Sequence, residues 1–358
     1  YIYTVRAYDS VVLSGYNEGL TVRCLKTANM ISAKAVSGGV HVQWDAVTGA
    51  QGYYIYRRNE ETAYQRIGHI SGNHVTEYVD DGAISGKNNI YTVLAYYGTS
   101  KSNYNSDTSL YYLKAPVIET TVMKENAVEV QWSRISSAKG YCVYRKTEGG
   151  KWTRMGIATG ESACSFSDTS VKSGSTYSYT VRAYDDNAMS IYDSQGKIMF
   201  LTQPQLTGTS SAGGIQIRWT KCSNVDGYII YRKESNTAWV RIAKKAGASL
   251  ESYTDDSAES GKVYTYTVRS YKANNMSDFD RTGVSGKYTE RLLRYVTTDD
   301  VYYRTGPGTS YATAGILNSG KSIGLVSGYS KKANGYTWYK LRMNGKYYYI
   351  VSNHVKRV

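Results

Sequence analysis

The sequence predicts an all-β protein made mainly of tandem, seven-stranded β-sandwiches. Three observations carry this expectation. Similar blocks recur with a period of 87 to 88 residues. Each block is a short alternating run rich in Tyr, Val, Ile and Thr, bounded by Gly, Asn, Asp and Ser. Helical periodicity is hard to find anywhere in the 358 residues.

The blocks follow one order in each period. Val40-His41-Val42, Val128-Glu129-Val130 and Ile215-Gln216-Ile217 lead to Trp44, Trp132 and Trp219. Gly-Tyr follows eight residues after each Trp and opens a second strand. These strands are Gly52-Tyr53-Tyr54-Ile55-Tyr56-Arg57, Gly140-Tyr141-Cys142-Val143-Tyr144-Arg145 and Gly227-Tyr228-Ile229-Ile230-Tyr231-Arg232. Next come Tyr64 to Ile67, Trp152 to Met155 and Trp239 to Ile242. Acid-ended runs follow at Tyr78-Val79-Asp80, Phe166-Ser167-Asp168 and Tyr253-Thr254-Asp255. The last shared block is Tyr-Thr-Val at Tyr91, Tyr179 and Tyr266. About seven strands in some 90–100 residues fit a two-sheet sandwich. Its inward positions would hold Trp44, Trp132, Trp219, Tyr53, Tyr141 and Tyr228.

These repeats resemble the fibronectin type III family as it occurs in multimodular bacterial surface proteins. The Trp of the second strand, the Gly-Tyr third strand and the Tyr-x-Tyr-Thr-Val-Arg-Ala-Tyr sixth strand carry the resemblance. It implies a tyrosine corner at Tyr177 and Tyr264, three residues after Gly174 and Gly261, with Asn89 in that place in the first full repeat. Tyr1 to Tyr8 match Tyr177 to Tyr184 almost residue for residue. Residues 1–25 are therefore expected to be the last two strands of a truncated repeat. Because an isolated hairpin is marginal in water, either the natural chain extends upstream or packing elsewhere completes these strands. Full repeats are expected at 26–114, 115–202 and 203–291.

The period stops near Leu292. Residues 292–358 hold ten Lys or Arg, two Asp, ten Tyr and Trp338, a net +8 within a chain of net +14. Val301-Tyr302-Tyr303-Arg304-Thr305-Gly306-Pro307-Gly308 through Tyr311 resembles the opening of bacterial SH3 (SH3b) domains, and Trp338-Tyr339-Lys340-Leu341 and Tyr349-Ile350-Val351 agree. The resemblance implies a small SH3-like β-barrel over 292–358 that binds cell wall, with peptidoglycan or an anionic wall polymer as partner. Tyr302, Tyr303, Arg304, Tyr311, Trp338 and Tyr349 are the candidate ligand contacts. The chain departs from that family at Tyr302-Tyr303, Tyr348 and His354, all near its groove.

Other chemistry finds little purchase. The four Cys form no C-x-x-C pair and the four His no H-E-x-x-H, and no phosphate-loop, dinucleotide or nucleophile-elbow motif is present. No catalytic residue, cofactor or metal is therefore expected in this region, although an upstream catalytic domain would make it the tail of a wall hydrolase. Asp80-Asp81 and Asp255-Asp256, with Asp168 aligned, read as turn and cap residues rather than calcium ligands. Cys24, Cys142, Cys164 and Cys222 do not recur between repeats, so four free thiols are expected. Alternation points Cys142 outward and Cys164 inward beside Phe166. Tyr54, Tyr56, Tyr96, Tyr97, Tyr104, Tyr111 and Tyr112 are candidates for an adhesive face toward a host or surface protein. No apolar run is long enough for a membrane helix. Nucleic acid is not an expected partner, since the repeats carry only +6 and no recognition motif. The localisation expected is extracellular, on the cell surface or wall.

Overall fold

The computed structural model describes residues 2–18, 20–21, 23–104, 107–211 and 213–358. The fold is all-β, with one 3₁₀ turn at Ser352–His354 as the helical exception among these residues. The chain divides into two compact units. One comprises Tyr1–Val122, Glu129–Asp168 and Thr176–Ile198; the other comprises Met123–Val128, Thr169–Ser175 and Met199–Val358.

The first sandwich pairs Met30–Val36, Gly39–Trp44 and Glu77–Asp80 in one sheet. Its second sheet runs in the order Thr108–Tyr112, Lys87–Tyr97, Gly52–Arg58, Gln65–Ser71. The second repeat has the same pattern, with Ile118–Met123, Val128–Trp132 and Ser165–Asp168 in one sheet. Thr153–Thr159, Gly140–Thr147, Ser175–Tyr184 and Gln195–Phe200 form the other. The third repeat follows with Leu206–Ser211, Ile215–Trp219 and Ser252–Asp255. Against Val263–Lys272 and Gly227–Lys233 it adds Val240–Ala246 and Val284–Lys287. A bulge falls at one place in all three, between Ile55 and Tyr56, Val143 and Tyr144, and Ile230 and Tyr231.

Each core rests on one Trp–Tyr pair. Trp44, Trp132 and Trp219 are buried, and their rings lie 5.3, 5.4 and 5.3 Å from Tyr53, Tyr141 and Tyr228. The tyrosine hydroxyl has a fixed job as well. It accepts from the backbone N–H of Val47, Ile135 or Cys222 and donates to the carbonyl of Asn73, Glu161 or Ala248, all within 2.7–3.0 Å. One side chain thus ties two loops over the core, with its own hydroxyl both donating and accepting. The preceding glycine is required by close approach: a Cβ at Gly52 or Gly227 would sit 2.0 or 2.1 Å from a carbonyl oxygen of the neighbouring strand.

The acid-ended strands supply a second buried device. Asp80, Asp168 and Asp255 lie within 2.6–2.7 Å of Arg57, Arg145 and Arg232. The hydroxyls of Tyr91, Tyr179 and Tyr266 donate to the same carboxylates at 2.9, 2.7 and 2.8 Å. The turn role read from sequence is present too, since Asp80 and Asp255 accept from the N–H groups of Gly82 and Ser257 at 3.1 Å. A buried carboxylate needs this many donors to offset its lost hydration.

Tyr177 and Tyr264 are buried, and the Tyr264 hydroxyl accepts from Glu259 N–H at 3.4 Å. Asn89, also buried, does the same work with a shorter arm. Its amide accepts from Ile84 N–H and donates to the carbonyls of Ile84 and Lys87, each at 3.0 Å.

Near the start, Ile2–Tyr3 pairs with Leu20–Thr21. The turn between them repeats the one at 185–190: Asp9 and Asp185 each cap two backbone N–H groups, and Ser14 and Ser190 each accept from the N–H of an Ala seven residues back. The environment differs. Val5 is 78% exposed, whereas its match Val181 is fully buried.

All four cysteines are free thiols. Cys142 does lie on the outer side of its sheet, as alternation requires, but it is buried rather than solvent-facing. Neighbouring side chains on the same face cover it, a matter on which alternation is silent. Cys164 is half-buried, with its sulfur 3.6 Å from the Glu161 carbonyl.

Candidate functional site

After Leu292 one eight-stranded sheet curves around a small core of Val301, Leu317, Ile323, Leu325, Leu341 and Ile350. Its main path runs Thr313–Leu317, Val301–Arg304, Lys346–Val351, Tyr336–Met343, Ser322–Val326, Leu292–Thr297, Val355–Arg357. The Arg-Thr-Gly-Pro-Gly segment forms the loop after Val301–Arg304. Gly306 is needed there because a Cβ would sit 2.1 Å from the Tyr311 ring, which packs flat on it. The loop is further tied by Arg304, whose guanidinium donates to the Tyr311 carbonyl at 2.8 Å and the Thr313 hydroxyl at 3.1 Å.

A groove of about 210 Å³ opens beside this loop, lined by Asp300, Val301, Tyr302, Arg304, Thr309, Tyr336, Trp338, Val351 and His354. Three of the six sequence candidates therefore meet in it. Tyr302 is 55% exposed, Arg304 is half-buried, and Trp338 is only 1% exposed, with its indole N–H donating to the Ala333 carbonyl at 3.1 Å. Trp338 thus forms a packed base rather than a projecting platform. Tyr311 adjoins the groove through its bond from Arg304. The other two candidates lie elsewhere. Tyr303 packs edge-on against Tyr348, 5.0 Å between centroids, and Tyr349 lies 5.7 Å from Tyr329, against the core of the third sandwich.

The groove also contains two residues outside the six candidate contacts, Tyr336 and His354. Tyr336 is exposed, and it arrives on a hairpin with Lys331–Ala333 whose position no motif announces. His354 stands out in the sequence only as a departure from the SH3b pattern. It lines the groove and lies 3.2 Å from Asp299, whose carboxyl is held below its usual range by the Thr298 hydroxyl and then by this imidazole. Two of the remaining three histidines have partners on the sandwich surface: His41 meets Glu77 at 3.0 Å, and His69 meets the Tyr96 hydroxyl at 2.9 Å.

The tyrosine-rich face of the first sandwich is largely self-occupied. Tyr54 stacks on His69 and Tyr96, Tyr56 and Tyr64 pack on Tyr104, and Arg23 lies 3.5 Å over Tyr97. Tyr111 donates to Asp185 at 2.7 Å, and Tyr112 is buried. Among the described residues no group of three or more His, Cys, Asp or Glu could hold a metal ion. No helix there is long and apolar enough to cross a membrane.

No family model matches the chain. It is 26% identical to Exoglucanase B of Cellulomonas fimi over 276 residues, which cover 68% of this chain. The chain spans about a quarter (23%) of that protein's length. Among solved structures, a two-domain fibronectin type III segment of chicken tenascin covers 48% of this chain and 98% of its own, at 16% identity and a TM-score of 0.30. A Fn3-like protein from Clostridium thermocellum covers 24% of this chain and 88% of its own, at 23% identity and a TM-score of 0.21. In their strand order and pairing, the three repeats are fibronectin type III-like sandwiches.

Proposed function

We propose that this chain is a non-catalytic region of an extracellular bacterial protein. Its sandwiches act as spacers, and its C-terminal module, SH3b-like in motif, binds the cell wall. The observation that carries the reading is the groove of Tyr302, Arg304, Tyr336 and His354 over Trp338, set in a module of net +8. Exposed rings offer flat apolar faces to sugars or peptides, and the excess of cations attracts the phosphate- or carboxylate-bearing polymers of Gram-positive walls.

The test uses the full chain and purified Gram-positive walls. Tyr302→Ala and Tyr336→Ala, both at exposed rings, should lower the sedimenting fraction severalfold without changing the melting temperature. Arg304→Ala should lower it further but also loosen the Tyr311 loop. Raising salt from about 0.05 to about 0.5 M should weaken capture, because the screening length shortens over that range. Retention unchanged in both tyrosine variants would refute the groove as the site.

The likeness to Exoglucanase B favours a second reading. In it, the same region is an accessory part of a larger polysaccharide-acting enzyme, and the full-length reading frame distinguishes the two.

A further inference from the structure

The two walls of the groove come from separate stretches of chain. The loop after Val301–Arg304 supplies Thr309, and the hairpin of Lys331–Ala333 and Tyr336–Met343 supplies Tyr336. The loop is closed on its own stem. Thr305 N–H donates to the Ala312 carbonyl at 3.0 Å, and Arg304 holds the Tyr311 carbonyl and the Thr313 hydroxyl. The hairpin is fixed to the groove floor, where the Trp338 indole N–H donates to the Ala333 carbonyl. None of these bonds sets the distance between the walls.

Asn334 does. It opens the two-residue turn Asn334-Gly335 between the paired residues Ala333 and Tyr336, with φ of 52° and 77°. Such left-handed positions accept Gly, Asn or Asp, and Gly most readily. Glycine alone would therefore serve the turn, and the amide side chain has a separate task. Its Oδ1 accepts from Thr309 N–H at 3.1 Å. Among the described residues this is the one hydrogen bond from the 305–311 loop to the 331–337 hairpin. The loop is shaped to receive it: Gly308 is buried, and a Cβ there would lie 2.9 Å from the same oxygen. The module's other Asn-Gly turn supplies the contrast. Asn344 and Gly345 have φ of 51° and 75° between the paired residues Met343 and Lys346, yet among the described residues the Asn344 side chain bonds no other segment.

We propose that Asn334 is a positioning residue of the groove, a latch that holds the Thr309 wall at a set distance from the Tyr336 wall. The proposal rests on the groove being the wall-binding site. A ligand then meets a preformed slot, whereas an unlatched loop would have to be ordered on binding at a cost in entropy.

The test uses the full chain. Asn334→Gly keeps the turn and removes the latch. Because Asn334 is exposed, water replaces the lost partner, and the melting temperature should stay with that of Asn344→Gly, the same change in the unlatched turn. Amide hydrogen exchange at Thr309 should speed up about tenfold, the scale of one lost hydrogen bond. The fraction sedimenting with purified Gram-positive walls should fall severalfold. Asn344→Gly should change neither. Asn334→Asp keeps a side-chain oxygen at the same place and should restore Thr309 protection, which a general loosening of the turn would not explain. Unchanged Thr309 exchange in Asn334→Gly would overturn the latch. Lost protection with undiminished sedimentation would overturn its positioning role. A parent chain that does not sediment would overturn the wall-binding reading and the ligand role with it, and the exchange measurement would still decide whether the latch exists.

Discussion

Two junctions between successive modules are built on opposite principles. Between the first and second repeats the contact is small and polar. The Ser85 and Ser137 hydroxyls meet at 2.8 Å, Gly86 abuts the Ser137 side chain, and Tyr111 reaches Asp185. Between the third repeat and the C-terminal module the contact is a shared core. Val326 and Tyr329 of the module are buried in one cluster with Ile217, Trp219, Tyr264 and Tyr266 of the sandwich, and Tyr349 packs on it. Backbone meets backbone there, since a Cβ at Gly213 would lie 2.5 Å from Gly328. Several polar groups around the cluster are paired across the junction, although the Trp219 indole N–H and the Tyr288 hydroxyl within it have no hydrogen-bond partner among the described residues. Glu290 takes Arg342 at 2.7 Å and the Tyr347 hydroxyl at 2.6 Å, and the buried Lys340 ammonium donates to the Asp256 carbonyl at 3.0 Å. A few polar, partly solvated contacts cost little to break, whereas a shared apolar core makes folding of the two parts mutual. The groove thus stands on a rigid base of third repeat plus module, not on a free terminal bead.

The largest expected effect tests that mutuality. Tyr329→Ala should cost about 3–5 kcal/mol, as large-to-small core changes do. It should also unfold the third repeat and the module in one transition, read by hydrogen exchange across both. Trp44→Ala should cost a similar amount in the first repeat and leave protection in the second nearly unchanged. Two separate transitions for the third repeat and the module in Tyr329→Ala would break the comparison.

Next in size is the buried aspartate. Asp255 is one residue from Asp256, which holds Lys340 through its carbonyl and sits 3.8 Å from Lys331. Asp255→Asn leaves Arg232 and Tyr266 with a weaker partner and should cost about 2 kcal/mol, below the full penalty for an orphaned charge because the arginine is partly solvated. The loss should extend into the module, whereas the matching Asp80→Asn should stay within the first repeat. Chemical denaturation of single-site fluorophore-labelled chains separates these outcomes.

That pair also shows what the sequence made legible. The Trp, Gly-Tyr, acid-ended and Tyr-Thr-Val blocks were visible, because a repeat writes its core positions at a constant spacing. Their meeting was not. Arg57 and Asp80 are 23 residues apart and Tyr91 a further 11, on three different strands, so only the fold shows that they share one carboxylate. The groove was half legible for a similar reason. Tyr302 and Arg304 come with the Gly-Pro-Gly loop, but Tyr336 is delivered by a separate hairpin and Tyr349 is turned to the sandwich. The shared core left no mark at all. Tyr329 sits in an ordinary Ser-Gly-Tyr-Ser turn, and the end of the period near Leu292 reads as a boundary although packing continues across it.

Alkaline pH should discriminate the junctions more gently. Burial, then the charge of Glu290, pushes Tyr288 up to about 12. Tyr347 is pushed to about 12 by burial and its bond to Glu290, and burial drives Tyr329 higher still. A tyrosine whose folded value is raised contributes stability that is complete below the unfolded value of about 10 and is lost as pH climbs through the folded one. Lys340 acts with the opposite sign, because burial lowers its value and so favours the folded state as it deprotonates below its usual 10.5. Burial raises Tyr349, Tyr266, Tyr253 and Tyr228 as well, so the tyrosines outweigh the one lysine and the third repeat and module should lose stability from about pH 10 upward. Phenolate absorbance should rise with unfolding rather than ahead of it. Early titration of these tyrosines in the folded chain would show a looser junction.

The smallest effect belongs to the polar junction. Ser137→Ala removes one hydroxyl contact to Ser85, which keeps a second role accepting from Lys114 N–H at 3.0 Å. Both groups lie where water can replace the lost partner, so the change should stay within about 0.5 kcal/mol. The informative readout is therefore motion, not stability. Residual dipolar couplings of the first and second repeats should report a wider range of mutual orientations in Ser137→Ala. The couplings within each repeat should not change. Ser137→Leu, which places bulk against Gly86, should widen that range further at little cost to either core. If Ser137→Leu instead destabilised both repeats together, the junction would have to be reclassed with the shared core at the other end of the chain.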